Sequence, residues 1–228
     1  MQHKIKTIII TGPPGSGKST VISRMYSFNI KKISAGDLLR AEIERQTGTG
    51  KEVQSYMDRG KLVPSTLVKR LISADIDKNI DKDTEVFLFD GFPRNMEEVR
   101  QYFEMIRQKG LSLDAVIMLE LSEGLIKERV LNRKTCPNCG AIYNIKENPP
   151  SFPDAVLQKR KDDDLETLEK QIAEFRENTE PVMDYFKEEY KDIVIQQDAS
   201  PPVNQVMYHI YIKLNQKGLI LFKGEKDE

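Results

Sequence analysis

Short β-branched and apolar runs alternate with amphipathic stretches along most of the chain, the pattern of a parallel sheet covered by helices on both faces. Five runs read as strands: Ile5 to Thr11, Lys31 to Ser34 weakly, Val86 to Asp90, Ala115 to Leu121 and Asp192 to Gln196. Between them the spacing turns helical. Met96, Val99, Phe103 and Ile106 share a face before the fourth run, and Val203, Val206, Ile210 and Leu214 after the fifth. Leu165, Leu168, Ile172 and Phe175 mark another helix, and Thr179-Glu180-Pro181 offers an N-cap and a first-turn proline for the next. Two intervals break the rhythm and read as insertions above the sheet: residues 36–80, several short helices, and 134–163, a Pro-containing, strand-poor loop segment. The tail from Gln216 carries an apolar Leu219 to Phe222 run before its charged end, and the pattern assigns it no role.

The first strand leads directly into Gly12-Pro13-Pro14-Gly15-Ser16-Gly17-Lys18-Ser19-Thr20. Glycine, four residues, glycine, lysine and Ser/Thr make a phosphate loop. The glycines let backbone amides turn toward phosphate oxygens, the following helix aims its positive end at them, and the lysine reaches the β and γ phosphates. Gly15, Ser16, Gly17, Lys18, Ser19 and Thr20 are therefore candidates for binding a nucleoside triphosphate, with the Ser19 hydroxyl placed to meet Mg²⁺. The loop alone does not identify the reaction.

Composition narrows the choices. The 228 residues suit one domain with insertions. Lysine plus arginine number 35 against 36 aspartate plus glutamate, so the net charge of -1 gives no overall footprint for nucleic acid or an anionic membrane. Any basic site must be local. Two histidines and two cysteines leave little material for a His-based triad or a four-ligand zinc site. No apolar run approaches the ~18 residues of a membrane span, and the reading is a soluble, cytoplasmic protein.

Downstream lie Ser34-Ala35-Gly36-Asp37-Leu38-Leu39-Arg40, Gly60-Lys61-Leu62-Val63-Pro64 and Phe89-Asp90-Gly91-Phe92-Pro93-Arg94. With the phosphate loop, in this order, they make the chain resemble the adenylate kinase family of nucleoside monophosphate (NMP) kinases from about Ile5 to Leu214. The resemblance implies a phosphate-loop NTPase fold, a five-stranded parallel core formed by residues 1–35, 81–133 and 164–215, an NMP-binding insertion at 36–80, and a lid at 134–163 that closes over ATP. It implies monomeric behaviour and Mg²⁺-dependent transfer of the ATP γ-phosphoryl group, with ATP and an NMP as the only partners. By similarity, Arg40 and Arg94 hold the acceptor monophosphate, with Ala35, Val63, Gly91 and Glu98 around it. Arg129 and Arg133 serve ATP, Arg160 the transferred group, and Asp90 organises magnesium through water. Asp162 and Asp163 anchor lid arginines. Lys18, Arg94, Arg133 and Arg160 form the implied catalytic set, which suits a reaction that depends on positioning and charge cancellation.

The chain departs from the family pattern at four points. Ser19 replaces the usual glycine, which allows direct contact with Mg²⁺. Ala35 replaces a common threonine, and Glu98 aligns with the glutamine that reads adenine. An ionised carboxylate only accepts hydrogen bonds, so it suits the two donors of guanine better than adenine; alternatively Glu98 is a solvated helix residue one position out of register. Ser34-Ala35-Gly36, Val63-Pro64 and Arg94-Asn95 resemble the UMP/CMP kinase branch. The second lid arginine is replaced by Gln171, and losing such an arginine costs ~10³-fold or more in rate by analogy with arginine fingers. Finally, Cys136 and Cys139 form only half of a zinc knuckle, so zinc is not expected.

Three classes of function are weighed. The leading one is phosphoryl transfer from ATP to AMP, with UMP/CMP and GMP as alternative acceptors. A nucleotide-binding sensor without turnover is the second, motivated by Gln171 and the unusual tail from Gln216. A GTPase or transport ATPase shares only the phosphate loop and lacks its own signature motifs here.

Overall fold

The computed structural model describes residues 5–25, 29–57, 63–80, 84–137, 142–146, 150, 156–159 and 163–219. Five strands form one sheet: β1 (Lys6–Thr11), β2 (Ile30–Ser34), β3 (Val86–Asp90), β4 (Leu113–Glu120) and, last in the chain, β7 (Val194–Asp198). Their order is β2-β3-β1-β4-β7, and every pair is parallel. This is the phosphate-loop NTPase architecture expected from the alternating pattern.

The helices are α1 (Lys18–Ser23), α2 (Ala35–Glu44), α3 (Gly48–Met57), α4 (Ser65–Asp77), α5 (Met96–Gln108), α6 (Glu123–Leu131), α7 (Leu165–Glu174), α8 (Glu180–Glu189) and α9 (Val203–Gln216). Strand alternation divides the core into two apolar layers. Ile9, Phe87, Phe89, Val116 and Met118 face a layer completed by α4, α5 and α8, whereas Ile8, Ile10, Leu88, Ile117 and Leu119 face one completed by α1 and α9. A third, smaller cluster of Ile126, Val130, Leu168 and Ile172 ties α6 to α7. Among the described residues no helix is long and apolar enough to cross a membrane.

Several elements differ from the sequence reading. In the segment 134–163, strand-poor by its pattern, β5 (Arg133–Thr135) and β6 (Ile142–Asn144) pair antiparallel and Thr135 bridges to Gln158. Three-residue strands are too short to show a period of two. The last strand of the sheet is Val194–Asp198, shifted two residues at both ends from the expected Asp192 to Gln196; its polar second half, Gln196 to Asp198, alternates exposed and buried at the sheet edge and so carries no apolar run. On α5 the buried stripe is Val99, Tyr102, Met105 and Ile106; Met96 is exposed. Thr179 does not cap a new helix. α7 continues into α8 through a π-helical turn, Phe175–Thr179, and Thr179 makes no capping bond.

Candidate active site

The site lies at the C-terminal ends of the strands, where the chain order reverses around β1 and where ligands bind in open parallel sheets. A cleft of about 780 Å³ opens there, lined by Pro14 to Val21 together with Arg40, Asp90, Arg94, Arg129, Arg133 and the segment after β7. The loop that begins it needs glycine at both ends. A Cβ on Gly12 would stand 2.6 Å from the Leu119 carbonyl oxygen. Gly17, the N-cap of α1, holds φ at 88°, in the left-handed region that side chains disfavour.

Lys18 folds back over this loop, its Nζ donating to the carbonyls of Gly12 at 2.7 Å and Pro13 at 2.9 Å. Burial lowers its pKa to about 8; Asp90 opposes that shift, and the Arg94 and Arg133 charges add to it. Asp90, Arg94 and Arg133 therefore all lie close enough to act electrostatically on Lys18. Because a polyphosphate favours the ammonium form, its binding should raise this pKa. Affinity for a non-hydrolysable ATP analogue is thus expected to be level up to about pH 8 and to weaken by up to about tenfold per pH unit above it. Calorimetric titration across that range checks this, and a level profile contradicts it.

The arginines reach the cleft from separate elements. Arg40, on α2, pairs with Asp37 at 2.5 Å; Asp37 pairs with Lys32, which also lies 3.6 Å from Asp90. Arg94 follows β3 in the turn Gly91–Asn95 and donates from Nε to the Gly91 carbonyl at 2.8 Å. Arg133, at the start of β5, grips Asp163 with two hydrogen bonds, one of them from Nε to Oδ2 at 3.0 Å. The Asp163 side chain is fully buried and that of Arg133 is 20% exposed. Arg129, on α6, donates to the carbonyls of Ala199 at 2.6 Å and Ser200 at 3.1 Å, so it also holds the far wall of the cleft.

Not every expected residue lines the cleft. Ala35 is buried in the first turn of α2, and Val63 packs against the core. Glu98 is buried on α5, where its Oε2 accepts from the Arg94 backbone N–H at 2.7 Å. Burial pushes its carboxyl above the usual range, against the opposing effect of that hydrogen bond. It is neither a solvated helix residue nor a residue lining the cleft. Gln171 is half-buried on α7 and also lies outside the described lining. Arg160, Asp162 and Cys139 lie outside the described residues. Cys136 is half-buried, and among the described residues no group of three or more His, Cys, Asp or Glu is placed to hold a metal.

Sequence reasoning missed one wall. Arg24, Ala199 to Asn204 and the β6 residues Tyr143 and Asn144 also line the cleft. The available signal was Asp198-Ala199-Ser200-Pro201-Pro202, a turn sequence at the C-terminal end of a parallel strand. The apolar run of that strand fades at Gln196, before the turn begins.

Sheet order, phosphate loop and converging cations define a phosphate-loop nucleotide-binding protein. Comparison with known proteins then specifies the group. The adenylate kinase family model matches residues 10–191. Curated adenylate kinases from Thermococcus kodakarensis (36% identical over 210 residues, 89% of this chain and 91% of the relative) and Thermoanaerobacter sp. (33% over 218 residues, 92% and 99%) align along most of their lengths. One from Pyrococcus furiosus is 34% identical over 220 residues, 93% of this chain and 90% of the relative. The chain belongs to the adenylate kinase family.

Proposed function

We propose that this chain is an adenylate kinase, converting ATP and AMP reversibly into two ADP. The observation that carries the proposal is that Lys18, Arg40, Asp90, Arg94, Arg129 and Arg133, from separate elements, line one cleft around the phosphate loop. Phosphoryl transfer requires two phosphate-bearing ligands held in line, with spread negative charge cancelled. In this reading Lys18 and the loop from Gly15 to Thr20 hold the triphosphate, with Arg129 and Arg133 beside it, and Arg40 and Arg94 hold the acceptor phosphate. Residues 36–80 serve as the acceptor-binding insertion and 134–163 as the lid, over the core formed by 1–35, 81–133 and 164–215. AMP as acceptor follows from the relatives' shared name.

Mg²⁺ fits the donor set. Ser19 and Asp90 both line the cleft, the hydroxyl offering one hard oxygen ligand and the carboxylate a partner for metal-bound water, and a cation needing mainly phosphate and water oxygens requires no larger protein cage. It supplies neutralisation of phosphate charge.

Gln171 favours a second reading, a nucleotide-binding sensor with little turnover. On the kinase reading, Gln171→Arg is expected to raise kcat by about tenfold, short of a full arginine-finger effect because residue 171 sits outside the described cleft lining. An unchanged kcat removes Gln171 as the limit on rate. The reading as a whole is tested by coupled detection of ADP with ATP and each of AMP, CMP, UMP and GMP; ADP formation with AMP is expected, and none with any acceptor favours the sensor.

A further inference from the structure

Arg94 sits in the turn Gly91–Asn95 between β3 and α5, outside any helix or sheet ladder, and its side chain is exposed in the cleft. Its backbone is nevertheless held on both sides by side chains. The N–H donates to Glu98 Oε2 at 2.7 Å, and the carbonyl accepts from Thr179 Oγ1 at 3.1 Å. Glu98 is itself placed by the start of α5, where its own N–H donates to the side chain of the N-cap residue Asn95 at 2.8 Å. Both Glu98 and Thr179 are buried, so water competes poorly for either bond.

Thr179 reaches Arg94 from the last position of the π-helical turn Phe175–Thr179. Pro181 follows in the first turn of α8. Its missing N–H cannot continue the α-helical ladder. The inserted residue of a π turn changes the phase of the helix, and here the threonine hydroxyl meets a carbonyl 85 positions away in sequence.

We infer that Glu98 and Thr179 are positioning residues for Arg94, clamping its peptide groups so that the guanidinium stands ready for the acceptor phosphate, and that Glu98 does not select the base. The inference rests on the proposed role of Arg94. An ordinary hydrophobic contact would not require both polar groups of one residue to be met from two separate elements. Burying Glu98 as a carboxylate is costly unless it is hydrogen-bonded, and its bond goes to Arg94.

Two substitution pairs test this. Thr179→Val removes the hydroxyl at similar size, and Thr179→Ser retains it. Calorimetric titration with AMP, or with whichever other monophosphate the wild type turns over, gives affinity independently of turnover; steady-state assays give KM for acceptor and ATP. Thr179→Val is expected to weaken acceptor binding by about fivefold, the scale of one lost hydrogen bond, while KM for ATP holds and Thr179→Ser recovers the wild-type value. Unchanged acceptor affinity, or parallel weakening of acceptor and ATP, overturns the inference.

For Glu98, Glu98→Gln keeps an acceptor for the Arg94 N–H and is expected to preserve both acceptor affinity and the ranking of AMP, GMP, CMP and UMP. Glu98→Met removes the acceptor and should reproduce the Thr179→Val effect. A tenfold or greater change of base ranking in Glu98→Gln overturns the inference and returns Glu98 to the base. A wild-type protein that forms no ADP from AMP would contradict the kinase reading instead, and the binding comparisons would still decide the role of Glu98 and Thr179.

Discussion

Replacing Lys18 with Met is expected to lower kcat by ~10³-fold or more while leaving the protein folded. The magnitude follows from the location of Lys18. It carries a charge in a partly dehydrated cleft beside Asp90, Arg94 and Arg133, where one oriented cation or donor at the transferred group contributes ~10²- to 10³-fold or more. Folding should change little, because burial already disfavours the ammonium form and methionine has a similar length. Lys18→Arg should not restore activity, since a planar fork cannot replace a compact ammonium between the Gly12 and Pro13 carbonyls. Steady-state kinetics with a thermal melt check both halves. A variant retaining a tenth of wild-type kcat would remove Lys18 from the chemistry.

The second large effect concerns Arg133 and separates stability from catalysis. Arg133→Met leaves the fully buried Asp163 carboxylate without its partner. Breaking such a pair costs ~3 to 5 kcal/mol, and the partial exposure of Arg133 places this one near the lower figure. The double variant Arg133→Met, Asp163→Leu should recover most of that stability, because apolar residues of similar volume replace buried ion pairs at little cost. Activity should stay down by ~10²-fold in both variants, because the guanidinium is absent from the cleft. Denaturant melts and kcat measured on the same preparations decide the matter. Recovery of activity along with stability would make Arg133 a structural anchor only.

What could be read from the sequence was whatever obeys a local rule. β3 was bounded at Val86 and Asp90 because burial on both faces makes it continuously apolar, and the phosphate loop declares itself through the φ and space requirements at Gly12 and Gly17. Arg94 was legible through the family resemblance carried by Asp90-Gly91-Phe92-Pro93-Arg94, which places it in the turn after β3. Long-range pairing escaped. No spacing rule says that Thr179 will bond to Arg94 rather than cap a helix, or that Glu98 will turn toward the backbone. The resemblance marked Asp163 as an anchor for arginines, but no spacing rule names Arg133, at the start of the three-residue strand β5, as its partner. Tyr102 rather than Met96 is buried on α5 because its hydroxyl finds Thr7 at 2.9 Å inside the core, a partner set by the sheet and not by the helix. The two layers of the core were thus visible as periodicity, while the clamps around the site depend on tertiary structure.

The measurement that bears most directly on the whole account is ADP formation by the wild-type protein, with ATP and Mg²⁺, in the presence of AMP, CMP, UMP and GMP supplied one at a time. Turnover is predicted with AMP, at a higher kcat/KM than with the other three. Tight ATP binding without ADP from any of the four would contradict it.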